Sequence, residues 1–519
     1  MITEVTLNLD YVRSNYLFFR NLTKQSGDCV PVVKGDAYGI GVLDVVNTLV
    51  NMENPQRDFF VYSLEQACEI RINFGDKIRN LYVLRGPMAG EEEMFQEYAA
   101  IPVINGLEQL HRWSNYARAI DKKLDTLVQF NAGINRSGVQ RDLVEYFRKF
   151  IIDRKNCINL LMVMAHIGCQ CTSYSPLVKY REKELDNFRY IASFFPEIKK
   201  SLLETNGVFN TPWAIYDCSR IGIGLFTYKR TLSNAIKTVL TVTSPVFRSK
   251  KIDECCINFG RRNGLSSSYG KFGYVYLENE IVRIKSVEDS IAVLDFRGKD
   301  LPKEPALLLG HHRENHIDGF EFSSMNGTIP AELFARIIDR NKDREGINYR
   351  VIGNRYNGPV KSFLYSNSGR NRVEFDSSGK LVKLISIVSE KRIVDVDGFC
   401  GYSASELAIA GDCLITISIG YLSGFSRKFS GTRVELFVEN KAGEIVSCKL
   451  CGVVSMDQIC AKVRGEDFNR IDVGDRAIVV DEDLGIGVGR LERLMMGGRD
   501  EFNLNQCYGK YSIAVDDTQ

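Results

Sequence analysis

No apolar run in this 519-residue chain approaches the roughly 18–20 residues that a membrane-spanning helix needs, so no membrane partner is expected. No charge of one sign dominates either: 67 Lys and Arg against 65 Asp and Glu leave a net charge of +2. There is no general electrostatic reason to expect nucleic acid or an anionic membrane, and small molecules are the default ligands. The opening Met1-Ile2-Thr3-Glu4-Val5-Thr6-Leu7 lacks a basic region followed by an apolar stretch, which predicts a soluble cytoplasmic protein. Disulfide density is missing too. The 14 cysteines are scattered over a long chain, which suits reduced thiols that mostly serve as small core residues. Cys169 and Cys171, the adjacent Cys255 and Cys256, and Cys448-x-x-Cys451 are the three groupings, and none has the second pair or nearby histidines that a four-ligand zinc site requires. No metal is expected. Histidine is scarce, with five residues, and the cluster His311-His312-Arg313-Glu314-Asn315-His316 departs from the H-E-x-x-H order. It reads as a solvated loop.

What is present is enough for a large core: 44% hydrophobic and 25% charged residues at this length predict at least two domains. Eight short apolar, β-branched runs are separated by longer amphipathic stretches: Val30–Val33, Phe59–Tyr62, Leu81–Leu84, Ile101–Ile104, Leu127–Phe130, Leu160–Met164, Leu202–Leu203 and Ile221–Leu225. Eight successive βα units predict an α/β fold with an N-terminal (β/α)₈ barrel over residues 1–235, whose chemistry belongs at the C-terminal strand ends. After about residue 235 the pattern turns to alternating strands, as in Arg433-Val-Glu-Leu-Phe-Val-Glu, so a mostly β domain is expected over 236–519. Residues about 262–385 read as an inserted lobe, folded and dispensable for chemistry. Thr243–Arg262 and Leu384–Ser405 look loosely alike, but fall short of a repeat.

Lys34 closes the first barrel run in Pro31-Val-Val-Lys-Gly-Asp-Ala-Tyr-Gly-Ile-Gly. A lysine at the inner end of a hydrophobic strand needs either a partner or a depressed pKa, and a depressed pKa suits a nucleophilic amine. On physics alone a surface or salt-bridge role is the favoured reading of a lone strand-end lysine. The segment VVKGDAYGIG resembles the cofactor-lysine segment of the alanine racemases, usually V-V-K-A-D-A-Y-G-H-G. Further segments follow in the same order. Asn131-Ala-Gly-Ile-Asn-Arg-Ser-Gly is similar to D-T-G-M-x-R-x-G, Met164-Ala-His matches the histidine segment, and Ser219-Arg-Ile-Gly-Ile-Gly-Leu resembles R-P-G-I-x-L-Y. Ile419-Gly-Tyr-Leu-Ser-Gly resembles the family's I-G-Y-A-D-G, and Val454-Ser-Met-Asp-Gln its V-S-M-D-Q. The resemblance covers roughly 1–235 and 390–500.

It implies a pyridoxal phosphate (PLP) enzyme of fold type III that racemises a small amino acid, most simply alanine, and supplies D-alanine for peptidoglycan precursors. Lys34 and Tyr421 take the places of the two bases. Tyr38, Asn206, Gly222 and Ile223 fall at the phosphate cup, His166 against the cofactor ring and Arg220 at the ring nitrogen, while Arg136, Met456 and Asp457 fall beside the substrate. The resemblance further implies a homodimer in which the tyrosine reaches the lysine's site from the other subunit. Inverting a stereocentre calls for bases on opposite faces, and a tyrosine with an ordinary pKa of about 10 needs nearby cations to serve. Gln129 and Asn131 replace a lysine and an aspartate of many members, Gly207 replaces a serine and Ser423 an aspartate, and the entrance tyrosine is placed only by guess at Tyr508. Racemisation of serine or lysine, a decarboxylase of the same barrel type, a non-catalytic PLP carrier and an inactive homologue stay open as alternatives. Taken singly, His166 reads as a core histidine, Arg220 as an ion-pair residue and Tyr421 as a packed strand tyrosine.

Overall fold

A computed structural model describes residues 2–481, apart from 26, 169–174, 250–253, 297–299, 343–345, 359–371, 376–380, 396, 403–405, 424, 426 and 433. Tyr508, Cys169 and Cys171 lie outside the described residues. A first strand, β1 (Thr3–Asn8), leads into helix α1 (Leu9–Thr23), where the Asn8 side chain accepts the Asp10 N–H and Val12, Tyr16, Phe19 and Thr23 form the buried stripe at helical spacing. Eight strands then alternate with helices: β2 (Asp28–Pro31), β3 (Asp58–Val61), β4 (Asn80–Val83), β5 (Ala100–Ile104), β6 (Leu124–Gln129), β7 (Ile158–Met164), β8 (Lys199–Glu204) and β9 (Cys218–Ile221). They form one sheet in the order β2-β9-β8-β7-β6-β5-β4-β3. A parallel bridge between Val32 and Phe60 leaves the barrel nearly closed. Runs such as Asp58–Val61 and Ala100–Ile104 are buried at every position, as strands covered on both faces must be.

The chain divides into two compact units, Met1–Phe60 with Glu69–Arg79 and Arg220–Lys361, and Val61–Cys68 with Asn80–Ser219 and Ser362–Gln519. The division falls within β3 and within β9. Besides β1 and β2, the first unit contains β10 (Leu240–Ser244), β11 (Val246–Arg248), β12 (Glu254–Ile257), β13 (Tyr274–Leu277), β14 (Glu280–Val287), β15 (Ala292–Asp295), β16 (Ala306–His312), β17 (Asn315–Ile317) and β18 (Ile347–Ile352). Their order is β11-β12-β15-β14-β13-β16-β10-β1-β18, with β17 on β16. The second unit adds to the barrel strands β19 (Arg372–Phe375), β20 (Leu381–Ile393), β21 (Gly398–Phe399), β22 (Leu407–Ala408), β23 (Cys413–Ile417), β24 (Glu435–Glu439), β25 (Ile445–Cys451), β26 (Ile459–Val463) and β27 (Arg476–Asp481). Strand β27 pairs with both β24 and β20, which closes this sheet around a core that includes Ile415, Ile417, Leu436, Val438, Ala461 and Val479.

Two expectations are corrected, and the lobe shows contacts that the sequence did not suggest. The eighth apolar run is strand only up to Ile221, because Gly222 turns out of it (φ −108°, ψ −95°) into a single 3₁₀ turn at Ile223–Leu225. The histidine cluster is a β-hairpin rather than a loop: His311 lies opposite His316 and Arg313 makes the turn at φ 53°. Burial lowers the His316 pKa to about 4, so this imidazole is neutral at physiological pH. The lobe, finally, is not separate from the lysine segment. Within the first unit, Gly39 (φ 83°) lies so close to the helix Pro330–Asn341 that a Cβ there would come within 2.4 Å of the Ala335 Cα. Asp44 also accepts the Tyr356 N–H at 2.8 Å and Asn47 donates to the Asn354 carbonyl at 3.0 Å. Removing the lobe would strip these supports from the residues that follow Lys34.

Among the described residues no helix is long and apolar enough to cross a membrane. Nor does any group of three or more His, Cys, Asp or Glu side chains there have the arrangement of a metal site. Cys448 and Cys451 are three apart on one strand and so face opposite ways, Cys448 toward the Leu436 carbonyl and Cys451 toward Cys400.

Candidate functional site

In the first unit Lys34 follows β2, whose continuation is held on both sides by Val32 N–H to the Ile221 carbonyl (2.8 Å) and Val33 N–H to the Phe60 carbonyl (2.9 Å). Directly after Lys34 the backbone turns left-handed over Gly35, Asp36, Ala37 and Tyr38, with φ of 60°, 52°, 52° and 62°. Gly35 adopts this hand freely, while the three residues after it cost roughly 1–2 kcal/mol each, strain that persists only where surrounding structure holds it. Asp36 helps by accepting the Val42 N–H at 2.6 Å, and Gly39 donates back to the Gly35 carbonyl at 2.9 Å. The turn brings Tyr38 against Phe226 (ring centroids 5.5 Å apart) and sets its hydroxyl over Gly222, where any Cβ would lie 2.0 Å from that oxygen. Arg220 is buried in β9, and the neighbouring Ser219 hydroxyl is buried without a hydrogen-bond partner among the described residues. Lys34, Tyr38, Arg220, Gly222 and Ile223 thus share one unit.

The other expected residues belong to the second unit. Arg136 lies in the loop after β6, and Asn131 organises that loop by accepting the Gly133 and Asn135 N–H groups and donating to the Asn135 and Gln140 side chains. This is how the loop is held without an aspartate at position 131. The Arg136 carbonyl accepts from Arg392 (2.7 Å) and from Thr416 (2.6 Å). Its guanidinium lies 4.8 Å from the centroid of the Tyr402 ring. Burial alone would lower the Arg136 pKa, but Tyr402 and, more weakly, Cys460 and Asp457 outweigh it and raise the value, so the group is a permanent cation. His166 follows β7, with Nε2 2.9 Å from the Tyr402 hydroxyl and the two rings edge to face.

Tyr402 was not anticipated. It stands in a segment without hydrophobic periodicity, after Gly401 at φ 71°, and its only sequence signal is a Gly-Tyr pair between two strand runs. Asn206 sits in the short helix after β8, its Nδ2 3.4 Å from Glu204. Tyr421 opens a 3₁₀ turn after β23, its N–H donating to the Ser455 carbonyl at 3.1 Å, while Met456 and Asp457 are buried in the loop before β26. Tyr62 is a second unanticipated neighbour. Its hydroxyl is 3.3 Å from Ser418, and burial together with Asp457 raises its pKa.

The family model for the alanine racemase N-terminal domain matches residues 7–230, and that for the C-terminal domain matches 381–495. The alanine racemase of Rickettsia rickettsii (strain Sheila Smith) is 26% identical over 364 residues, covering 66% of this chain and 98% of the relative. That of Rhodospirillum rubrum is 27% identical over 253 residues, covering 48% and 65%. Among solved structures, alanine racemase from Bartonella henselae with covalently bound pyridoxal phosphate gives a TM-score of 0.57 at 20% identity, covering 68% of this chain and 99% of that one. The Acinetobacter baumannii enzyme gives 0.56 at 22% identity, covering 68% and 100%.

Proposed function

Because the chain belongs to the alanine racemase family, we propose that it interconverts L- and D-alanine with pyridoxal phosphate as cofactor. The observation that carries this reading is the left-handed turn behind Lys34, which seats the Tyr38 hydroxyl against Gly222. The residues present fit that cofactor: an amine at a barrel strand end, and a hydroxyl in a cradle that a Cβ would fill. In the proposed arrangement Lys34 carries it, while Tyr38, Asn206 and the N–H groups of Gly222 and Ile223 hold its phosphate. His166 packs on its ring and Arg220 faces the ring nitrogen. When bound, the cofactor withdraws electrons from the substrate and weakens its Cα–H bond.

The chain's own groups do the rest. Arg136, charged at any working pH, anchors the substrate carboxylate, with Met456 and Asp457 beside it. Lys34 and Tyr421 take and return the Cα proton on opposite faces. This assigns the cofactor to the barrel, residues 1–235, and the second base to the β portion, 236–519. A cytoplasmic homodimer completes the proposal, with its D-alanine passing to peptidoglycan precursors. Incubating the PLP-loaded protein with L-alanine, L-serine and L-lysine, followed by chiral chromatography, should give D-alanine fastest. Faster D-serine or D-lysine would move the substrate, and no D-product from any of them would reject the reading.

Gly222→Ala tests the cradle separately. The added methyl displaces the Tyr38 hydroxyl, and losing one hydrogen bond to a charged group, about 1.5–3 kcal/mol, weakens cofactor binding roughly 10- to 100-fold. Fluorescence titration of the apoprotein with PLP measures this. An unchanged Kd would place the phosphate elsewhere.

A further inference from the structure

The stretch matched by neither family model, 231–380, contains a sheet that repeats the C-terminal sheet strand for strand. In the second unit the antiparallel pairings are β20 with β27 and then with β23, β23 with β26, β26 with β25, β25 with β24, and β24 with β27. In the first unit they are β10 with β16, β11 with β12, β12 with β15, β15 with β14, β14 with β13, and β13 with β16. The two lists coincide once β10 and β11 are taken as the halves of β20. Pro245, which cannot donate to a ladder, stands where the halves part.

The correspondence extends to the turn that carries Tyr421. Tyr421 N–H donates to the Ser455 carbonyl, and Arg261 N–H donates to that of Glu288 (3.1 and 2.9 Å). Ser423 and Phe425 donate to the Gly420 carbonyl as Asn263 and Leu265 do to that of Gly260, and Ser455 donates to Gln458 as Glu288 does to Ile291. Ile257-Asn-Phe-Gly-Arg-Arg-Asn-Gly therefore aligns with Ile417-Ser-Ile-Gly-Tyr-Leu-Ser-Gly. At the three positions of interest the first copy has Arg261 for Tyr421, Asp289 for Met456 and Ser290 for Asp457. Its tip is a pair of exposed arginines, one of them ion-paired with Asp289, and offers no phenol.

The second copy is seated on barrel loops of its own chain. Besides the Arg392 and Thr416 bonds to the Arg136 carbonyl and the Tyr402 bond to His166, Glu390 accepts the Gly138 N–H (3.2 Å), and Gly401 donates to the Ile134 carbonyl (2.8 Å). The Ser137 hydroxyl meets the Gln458 side chain at 3.3 Å, with both residues buried. Resting on the racemase reading, we infer that residues 240–312 are a degenerate internal copy of the module at 381–481, and that the intact copy supplies Tyr421 to the barrel of its own chain. Each site is then complete within one polypeptide, and the homodimer has no need to share sites between subunits. The copy begins at Leu240, upstream of the 262 expected for the lobe.

Three measurements on the full chain decide this. In S137C/Q458C, mild oxidation should form the new disulfide within one chain, which stays at 58.7 kDa on a non-reducing gel. A crosslinked dimer would put the module on the partner's barrel and overturn the inference. This readout does not depend on activity, so an enzyme that racemises nothing would sink the proposed reaction and leave the result standing. Second, PLP-loaded Lys34→Ala and Tyr421→Phe chains are co-expressed under different tags, and the doubly tagged hybrid is isolated or shown not to form. Shared sites would restore about one quarter of wild-type activity in a random mixture, since half the dimers are hybrids with one intact site of two. No restoration is expected, and a return toward a quarter overturns the proposal. Arg261→Ala should keep racemisation within about twofold of wild type, as an exposed substitution away from the chemistry. A large loss would place the first copy in the reaction and contradict its degeneracy.

Discussion

Replacing Lys34 with alanine should remove the visible absorbance near about 420 nm from the PLP-loaded protein and lower racemisation by more than about a thousandfold. The expected loss is large because the proposed mechanism gives one side chain two tasks, carrying the cofactor and moving a proton on one face of Cα. Losing the covalent anchor separates the variant from a mere loss of a base, since dialysis should then strip the cofactor. Folding should survive. Lys34 is followed by a turn whose hand is set by Gly35, the Asp36 bond to Val42 N–H and the seat of Gly39 on Ala335, none of which uses the lysine side chain. Circular dichroism and thermal unfolding check that. A variant that keeps its visible band after dialysis would remove Lys34 from the mechanism.

The barrel was legible because strands covered on both faces are apolar almost throughout, as residues 59–61 and Ala100–Ile104 are. Hydropathy misplaced the eighth strand for a physical reason: Ile221-Gly-Ile-Gly-Leu stays apolar through the point where Gly222 leaves the strand, and backbone torsion leaves no mark on apolar content. The histidine hairpin escaped for the opposite reason, since its alternation is carried by His and Asn, residues that count as polar whichever way they face. The duplicated module is the clearest case. Its pairings survive although its tip has exchanged tyrosine for Arg261 and its first strand is broken at Pro245. The loose likeness of Thr243–Arg262 to Leu384–Ser405 did not reveal it, because the strand that matches Glu254–Ile257 is Cys413–Ile417, beyond Ser405.

The residues put forward for the site were readable from ordered motifs. Their settings were not, because a motif names a side chain and leaves out what holds it. Arg136 depends on Arg392 and Thr416, more than 250 positions away, and on an asparagine that organises its loop in place of the usual aspartate. Tyr402 lies in a segment with no period to detect, yet its hydroxyl lies within hydrogen-bond distance of His166. Its position between His166 and Arg136 places it in the field of the Arg136 guanidinium, which no pattern of spacing could have indicated.

Tyr421→Phe should abolish net racemisation while leaving Cα exchange intact for one enantiomer. Inversion requires a proton to leave one face and another to arrive at the opposite one, so deleting the second base stops the complete cycle but not the half-reaction on the Lys34 face. Phenylalanine keeps the ring, which packs partly on the module core, and removes only the ionisable hydroxyl, so stability should change little. Its backbone N–H still donates to the Ser455 carbonyl, which keeps the turn in place. Loss of one general base is worth about 10²–10⁴ in rate, enough to take racemisation to the edge of detection. The measurement is deuterium uptake at Cα from D₂O, followed separately for L- and D-alanine by mass spectrometry. Uptake should persist in the enantiomer whose Cα–H faces Lys34 and vanish in its mirror image. Equal loss in both would mean that the substitution disturbs cofactor or substrate binding, and equal retention would show that another group serves the second face. Tyr402, already within hydrogen-bond reach of His166, would then be the phenol to remove next.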